Sequence, residues 1–228
     1  MAVPGPKVVR RPVHGVLLLD KPVGLSSQDA LYKAKRLLRA EKAGHTGTLD
    51  PLASGLLPLC FGAATKFAQV SLEADKAYRA NLHLGQTRVG GDREGEVLQE
   101  RPVAFDAALL QDSIQRLTGD IEQVPPMQSA LKHQGKALYE YARAGIEVER
   151  QPRRVTIHRL EVVAWSGPEL VLDVHCSKGT YVRTLAQDLG ELLGCGAHLS
   201  GLRRTGSGPL RVEQATTLEA LAALDEPA

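Results

Sequence analysis

Twelve consecutive residues, Gly44-His45-Thr46-Gly47-Thr48-Leu49-Asp50-Pro51-Leu52-Ala53-Ser54-Gly55, constrain this chain more than any other stretch. Three of them are glycines, which let a backbone turn sharply and let a bulky ligand come close. The ring of Pro51 disfavours the α region for the residue before it and pushes Asp50 into an extended conformation. The segment therefore reads as a rigid loop that presents one carboxylate, Asp50, to something large. Asp, Gly and Pro also build ordinary turns, and on the loop alone both readings stand.

The rest of the chain sets the frame for that loop. A length of 228 residues suits one domain, or one domain with a small appendage, and is enough to bury a proper core. With 43% hydrophobic and 24% charged residues the composition is that of a globular protein. No apolar run approaches the roughly 20 residues that span a bilayer, and Val16-Leu17-Leu18-Leu19 is only long enough for a buried strand. Met1-Ala2-Val3-Pro4-Gly5-Pro6 lacks the apolar core of a secretion signal. Cys60, Cys176 and Cys195 are odd in number, widely spaced and without a Cys-x-x-Cys pair. That argues against a disulfide framework or a structural zinc site, and the expected compartment is the reducing cytoplasm.

A net charge of +2 does not announce a nucleic-acid binder. The cations are nevertheless clustered: Lys33, Lys35, Arg36, Arg39 and Lys42 in one region, Arg150, Arg153 and Arg154 in a second, Arg203 and Arg204 in a third. Local patches can neutralise phosphates without raising the total charge, and a solvated helix face looks the same in sequence.

Residues 14–19 read as a strand closed by the turn Asp20-Lys21-Pro22-Val23-Gly24, after which Ser26 or Ser27 can cap a helix. Leu31, Ala34 and Leu38 mark its buried side, with Arg36 and Arg39 facing away. Residues 56–61 and 77–84 read as strands, the first of them central. Asp106 caps a helix carrying Leu109, Leu110, Ile114 and Leu117, and Gly119 stops it. Residues 154–165 and 169–177 form an antiparallel hairpin across Ser166-Gly167-Pro168, and Leu170, Leu172, Val174 and Cys176 define the buried face of its second strand. An amphipathic helix covers 180–193, with Val182, Leu185, Leu189 and Leu192 inward, and a last helix covers 217–224. Strands and helices alternate without a strict βαβ rhythm. The expected fold class is α+β, with a mixed, mostly antiparallel central sheet flanked by helices.

A lone acid narrows the chemistry. Glycoside hydrolysis usually takes two carboxylates, and only Asp50 lies in the loop, though a partner from elsewhere in the chain stays open. Neither His-x-x-x-His nor Asp-x-Asp occurs, so no metal site is expected. No Gly-x-Ser-x-Gly elbow, Walker loop or dinucleotide fingerprint is present. His45 suits a base or a ring that stacks on a nucleotide. A second constellation, Val174-His175-Cys176-Ser177-Lys178-Gly179-Thr180-Tyr181-Val182-Arg183, ends a strand, turns on Gly179 and opens a helix. Its arginine could hold a carboxylate ionised or bind a phosphate, and Tyr181 offers a stacking face. A plain helix start with a surface arginine and a half-buried tyrosine fits equally well.

Taken in order, the motifs carry a resemblance. They are His14-Gly15-Val16-Leu17-Leu18-Leu19-Asp20-Lys21-Pro22-Val23-Gly24-Leu25-Ser26-Ser27, the loop 44–55, Lys76-Ala77-Tyr78, Gln123-Val124-Pro125-Pro126 with Ser129-Ala130 and Lys132, residues 176–183, and Leu202-Arg203-Arg204-Thr205-Gly206-Ser207-Gly208. The chain resembles the bacterial tRNA pseudouridine synthase B family. The resemblance implies the pseudouridine synthase fold and isomerisation of uridine 55 in the T loop of tRNA, with no cofactor, no metal and no guide RNA. It implies a cytoplasmic monomer. Asp50 matches the catalytic aspartate, which attacks ribose C1′ or assists glycal formation while the C1′–N1 bond breaks. Tyr78 matches the tyrosine that stacks on the flipped base, and His45, Tyr181 and Leu202 match substrate-contacting positions. Arg183 matches the arginine that pairs with the aspartate, and Lys21 and Pro22 belong to a motif that supports the catalytic loop. Flipping a base costs a few kcal/mol, and a chain with 4% aromatic residues fits a pocket for one nucleotide better than a long stacking platform.

Two departures stand out. Thr87-Arg88-Val89-Gly90-Gly91 replaces the family's Thr-Asp-Thr run before the aspartate matched by Asp92, and Gln128 stands where a tyrosine is common. The sequence also stops at Ala228 after its last helix. The expectation is a single catalytic domain over residues 1–228, with the family's small C-terminal RNA-binding β-domain absent and a weaker grip on the acceptor side of tRNA. Two further readings are a tRNA-folding chaperone, in which binding outweighs chemistry, and a guide-RNA-dependent rRNA enzyme, which is disfavoured because those enzymes also rely on the C-terminal domain.

Overall fold

The apolar run near the start of the chain becomes β1 (Gly15–Lys21), with Leu19 fully buried. The computed structural model describes residues 9–224; the readings of residues 1–6 and of the chain's end at Ala228 lie outside them. Helix α1 (Ser27–Leu37) follows. Ser26 caps it, its hydroxyl accepting from the Asp29 amide at 3.1 Å, while Asp29 in the first turn and Lys35 and Arg36 in the last complement the helix dipole. Ala30, Leu31 and Ala34 are its buried stripe, and Arg36 is exposed. Next come β2 (Ala43–His45), β3 (Ala53–Phe61) and the short α2 (Ala68–Glu73).

The described residues divide into two compact units, 9–74 with 203–224, and 75–202. In the first unit β3 is the centre. Its residues are buried on both faces, as expected of a strand that reads as an almost unbroken apolar run. β1 pairs with it antiparallel from Gly15 opposite Phe61 to Lys21 opposite Gly55, and β2 pairs antiparallel with its far end, His45 opposite Leu59.

The second unit is built on β4 (Lys76–Leu84), followed by the paired β5 (Gln86–Arg88) and β6 (Val97–Glu100), α3 (Ala107–Arg116) and β7 (Gly119–Gln123). The small hairpin β8 (Lys132–His133) and β9 (Lys136–Ala137) leads into α4 (Leu138–Arg143). The predicted hairpin is present as β10 (Arg153–Ser166) and β11 (Glu169–Cys176), and α5 (Val182–Leu192) comes after it. β4, β11, β10 and β7 form one antiparallel run, with Leu170, Leu172, Val174 and Cys176 on its buried side. Asp106 caps α3 as predicted. Leu109, counted in the sequence among that helix's apolar residues, is 38% exposed, because Leu110, Ile114 and Leu117 complete the buried stripe without it.

Strand β12 (Ala197–Ser207), which no clean alternation announces, borders β4 with its first residues and β3 with its last. It turns into β13 (Leu210–Arg211) and then α6 (Leu218–Ala222), capped by Thr217. The class is the expected α+β: the ladders described within each unit are antiparallel, and isolated parallel bridges such as Leu19 to Thr216 lie outside the named strands. No described helix is long and apolar enough to cross a membrane.

Candidate active site

The Asp50 loop is the connection between β2 and β3, residues 46–52, and three backbone anchors hold the acid in place. Ser27, at the first position of α1 and 2% exposed, donates its hydroxyl to the Leu49 carbonyl at 3.0 Å and accepts from the Leu49 amide at 2.7 Å. Both polar groups of the residue before Asp50 are thus satisfied by one side chain. The Gly24 amide donates to the Pro51 carbonyl at 2.8 Å, and the Ala53 amide closes a turn onto the Asp50 carbonyl at 3.0 Å. Asp50 itself is half-buried. The loop is therefore rigid on both sides of its carboxylate, as the sequence predicts.

Beneath it lie two buried cations. Lys21 is fully buried at the end of β1, where Nζ donates to the Pro22 carbonyl at 2.8 Å and the Leu25 carbonyl at 2.6 Å. Burial pulls its pKa down to about 8; the Asp50 charge opposes that shift and the Arg204 charge adds to it. Lys21 thus fastens the turn that donates to Pro51, which is the supporting role the resemblance implies. Arg204, 1% exposed on β12, donates from Nε to the Leu56 carbonyl at 2.7 Å and from Nη2 to the Gly47 carbonyl at 3.4 Å.

His45 ends β2, half-buried, with a buried Nδ1 that has no hydrogen-bond partner among the described residues. Burial, and then the nearby Arg204 charge, hold its pKa below the ordinary histidine value, so the neutral ring is favoured. A neutral, partly apolar ring suits the stacking reading of His45. The third basic cluster needs correcting: Arg204 is interior, and Arg203 makes a two-pronged pair with Asp20 at 3.0 and 2.7 Å. Neighbouring strand residues point to opposite faces, so two adjacent arginines do not form one patch. Arg150 of the second cluster is likewise engaged, by the Pro125 and Val148 carbonyls and by Glu147.

The second unit holds Tyr78, Tyr181, Arg183 and Leu202. Tyr78 sits on β4 opposite Val174, half-buried, on the face that carries Ala80 and Leu82 further along the strand. Tyr181 is the N-cap residue of α5. Gln123, 2% exposed, clamps its backbone: the Tyr181 amide donates to Gln123 Oε1 at 3.0 Å, and Gln123 Nε2 donates to the Tyr181 carbonyl at 3.3 Å. Arg183 is 6% exposed in the first turn of α5, so the surface-arginine reading does not hold. Its Nη2 donates to the Gln128 carbonyl at 2.7 Å and Nη1 to the Gly90 carbonyl at 3.3 Å, with Asp92 at 3.6 Å. Leu202 lies half-buried on β12.

Both departures from the family pattern therefore meet at Arg183. Gly90 and Gly91 take φ values of +76° and +78°, which other residues rarely adopt. A Cβ on Gly90 would stand 3.2 Å from the Gln128 side chain, and one on Gly91 would stand 2.8 Å from Gln187. Gly90 packs against Gln128 and Gly91 against Gln187.

Sequence reading missed the roles of Ser27, Gln123 and Arg204, although each lies in a matched motif, because each acts on backbone groups far away in the chain. Among the described residues no group of three or more His, Cys, Asp or Glu side chains could hold a metal ion, and the three cysteines are buried and free.

Comparison with known proteins gives the family. Residues 35–182 match the model of the TruB family pseudouridylate synthase N-terminal domain, and residues 183–226 match that of the tRNA pseudouridylate synthase B C-terminal domain. A tRNA pseudouridine synthase B from Burkholderia lata is 64% identical over 97% of this chain and 69% of its own length. One from Cupriavidus pinatubonensis is 63% identical over 94% of this chain and 69% of its own. Among solved structures, a chain of a Cbf5-Nop10-Gar1 complex is 34% identical with a TM-score of 0.72, over 90% of this chain and 53% of that one. A chain of an H/ACA RNP bound to a substrate RNA is 30% identical with a TM-score of 0.68, again over about half of its length. A family model covering most of the chain, relatives of this identity and a loop built to present one aspartate lead to one conclusion: the chain belongs to the TruB family of pseudouridylate synthases.

Proposed function

We propose that this chain converts uridine 55 in the T loop of tRNA to pseudouridine, with Asp50 as the catalytic residue and without a guide RNA. The observation that carries the reading is the Asp50 loop, fastened on one flank through Leu49 and on the other through Pro51. A group that acts at one carbon of a flipped nucleotide gains most from being held in a near-attack position. Asp50 attacks ribose C1′, or assists loss of a ribose proton, as the C1′–N1 bond breaks. The freed uracil turns and its C5 bonds to C1′, which releases the Asp50 carboxylate or, after glycal formation, returns the ribose proton; the C5 proton is lost to solvent while N1 ends protonated. Atoms balance without water, oxidant or metal, so the reaction is an isomerisation. His45, Tyr78, Tyr181 and Leu202 are assigned to substrate contact by the family match, and Arg183 to the electrostatics of the reacting carboxylate.

The test is tritium release from a tRNA transcript labelled at uridine C5, with the purified chain as the only other macromolecule. Wild type is expected to release tritium, and Asp50→Ala to release none while still binding tRNA. Absence of release from the wild type would overturn the activity, and full release from Asp50→Ala would overturn the role of Asp50.

A further inference from the structure

The guanidinium of Arg204 lies inside the protein, yet among the described residues no carboxylate is its hydrogen-bond partner; it is spent on backbone. Its fork reaches the Leu56 carbonyl at 2.7 Å and the Gly47 carbonyl at 3.4 Å, two points that flank Asp50 in the sequence. Those carbonyls belong to the loop and to the strand that receives it. The neighbouring glycines accommodate this approach. Gly55 has φ +101°, and a Cβ there would stand 2.2 Å from the Arg204 carbonyl oxygen. Gly47 has φ +111°, and a Cβ there would meet Arg204 Nη1 at 3.6 Å. The close packing of β12 against the loop's exit is thus built around this one residue.

We infer that Arg204 is the positioning residue of the Asp50 loop, its guanidinium bracing the loop from below so that the carboxylate is held in its reacting place. A lysine could keep the buried charge, but a single ammonium cannot reproduce the planar fork that spans two carbonyls. The arginine's charge is also felt in the loop: after burial it is the second cause holding His45 below its ordinary value, and it opposes protonation of Lys21.

The inference rests on the proposed activity, and one assay separates the two. Tritium release is measured as kcat and KM for tRNA with wild type, Arg204→Lys and Arg204→Gln, below each protein's unfolding midpoint. Arg204→Lys is expected to lower kcat by about ten-fold or more while KM stays within about two-fold, since a displacement near 1 Å at the reacting group is enough for such a loss. A residue that merely held the fold together would lower the unfolding midpoint and leave kcat of the folded enzyme unchanged, and that result would overturn the inference. A change confined to KM would overturn it too. In Arg204→Gln the pKa of His45, followed by NMR of the ring, is expected to rise toward its ordinary value, and in Arg204→Lys to stay where it is in the wild type. Should Arg204→Gln not fold, the kcat and KM of Arg204→Lys decide alone. No release from the wild type would count against the activity, whereas equal kcat in wild type and Arg204→Lys would count only against Arg204.

Discussion

Lys21 shows how one residue can carry opposite demands. Its ammonium is buried, and among the described residues two carbonyls and the charge of Asp50 compensate it. The charged form is therefore disfavoured, and the pKa falls from 10.5 to about 8. The sign of the pH effect follows directly. Between about pH 8 and 10.5 the unfolded chain keeps a proton at this site that the folded chain has lost, so stability rises with pH across that window. Other groups titrate there too, so the comparison is with Lys21→Met, which lacks the titration. The unfolding free energy of wild type relative to Lys21→Met is expected to increase from pH 8 to 10, read by urea denaturation at each pH. A flat difference would mean that Lys21 stays protonated in the fold. In the sequence Lys21 reads as part of the turn that closes an apolar strand and of a motif that supports the catalytic loop, and neither reading shows its burial.

At the scale of elements, the unit that matters is the loop between β2 and β3 with the turn after β1 and the last part of β12. Gly55 is its tightest point, because an added Cβ would overlap the Arg204 backbone and the φ of +101° is strained for any other residue. Overpacking costs about 1–3 kcal/mol and an imposed left-handed conformation a similar amount. Gly55→Ala is therefore expected to destabilise the protein by about 3 kcal/mol or more, measured as a lower denaturation midpoint at unchanged m value. An unchanged midpoint would show that β12 yields at no cost. Most of this element structure was legible. β1, α1, β3, β4, α3, the β10–β11 hairpin and α5 all follow from apolar periodicity and caps, and the Asp50 loop from its glycines and Pro51. β12 was not, because its sequence, Ala-His-Leu-Ser-Gly-Leu-Arg-Arg-Thr-Gly-Ser, buries an arginine and spaces its glycines as if for loops. Long-range partners set that strand, and no local pattern encodes them. The same limit hid Ser27 and Gln123, whose value lies in which distant backbone groups they meet. Family resemblance named Asp50, but the anchors that make it rigid had to be seen.

For the whole molecule the question is how a chain of net charge +2 engages a polyanion. Part of its positive charge is already committed: Arg79 to Asp173, Arg101 to Glu191, Arg203 to Asp20 and Arg150 to Glu147. Arg204 and Lys21 are interior. Cations that are spoken for release few counterions from RNA, so the electrostatic share of binding is expected to be modest. If about three phosphates are neutralised, the logarithm of affinity falls against the logarithm of salt with a slope of about −2 to −3, or roughly a twenty- to sixty-fold loss from 50 to 200 mM salt. Filter binding of tRNA across that range measures the slope directly. Asp50→Ala should share it, because a carboxylate is not among the phosphate-neutralising groups, and the loss of chemistry in that variant would then be separable from any loss of grip. A slope steeper than about −6 would mean that about twice as many phosphates are neutralised, with the clusters around Lys33 and Arg153 drawn in, and shape and base contacts would no longer be the main source of affinity.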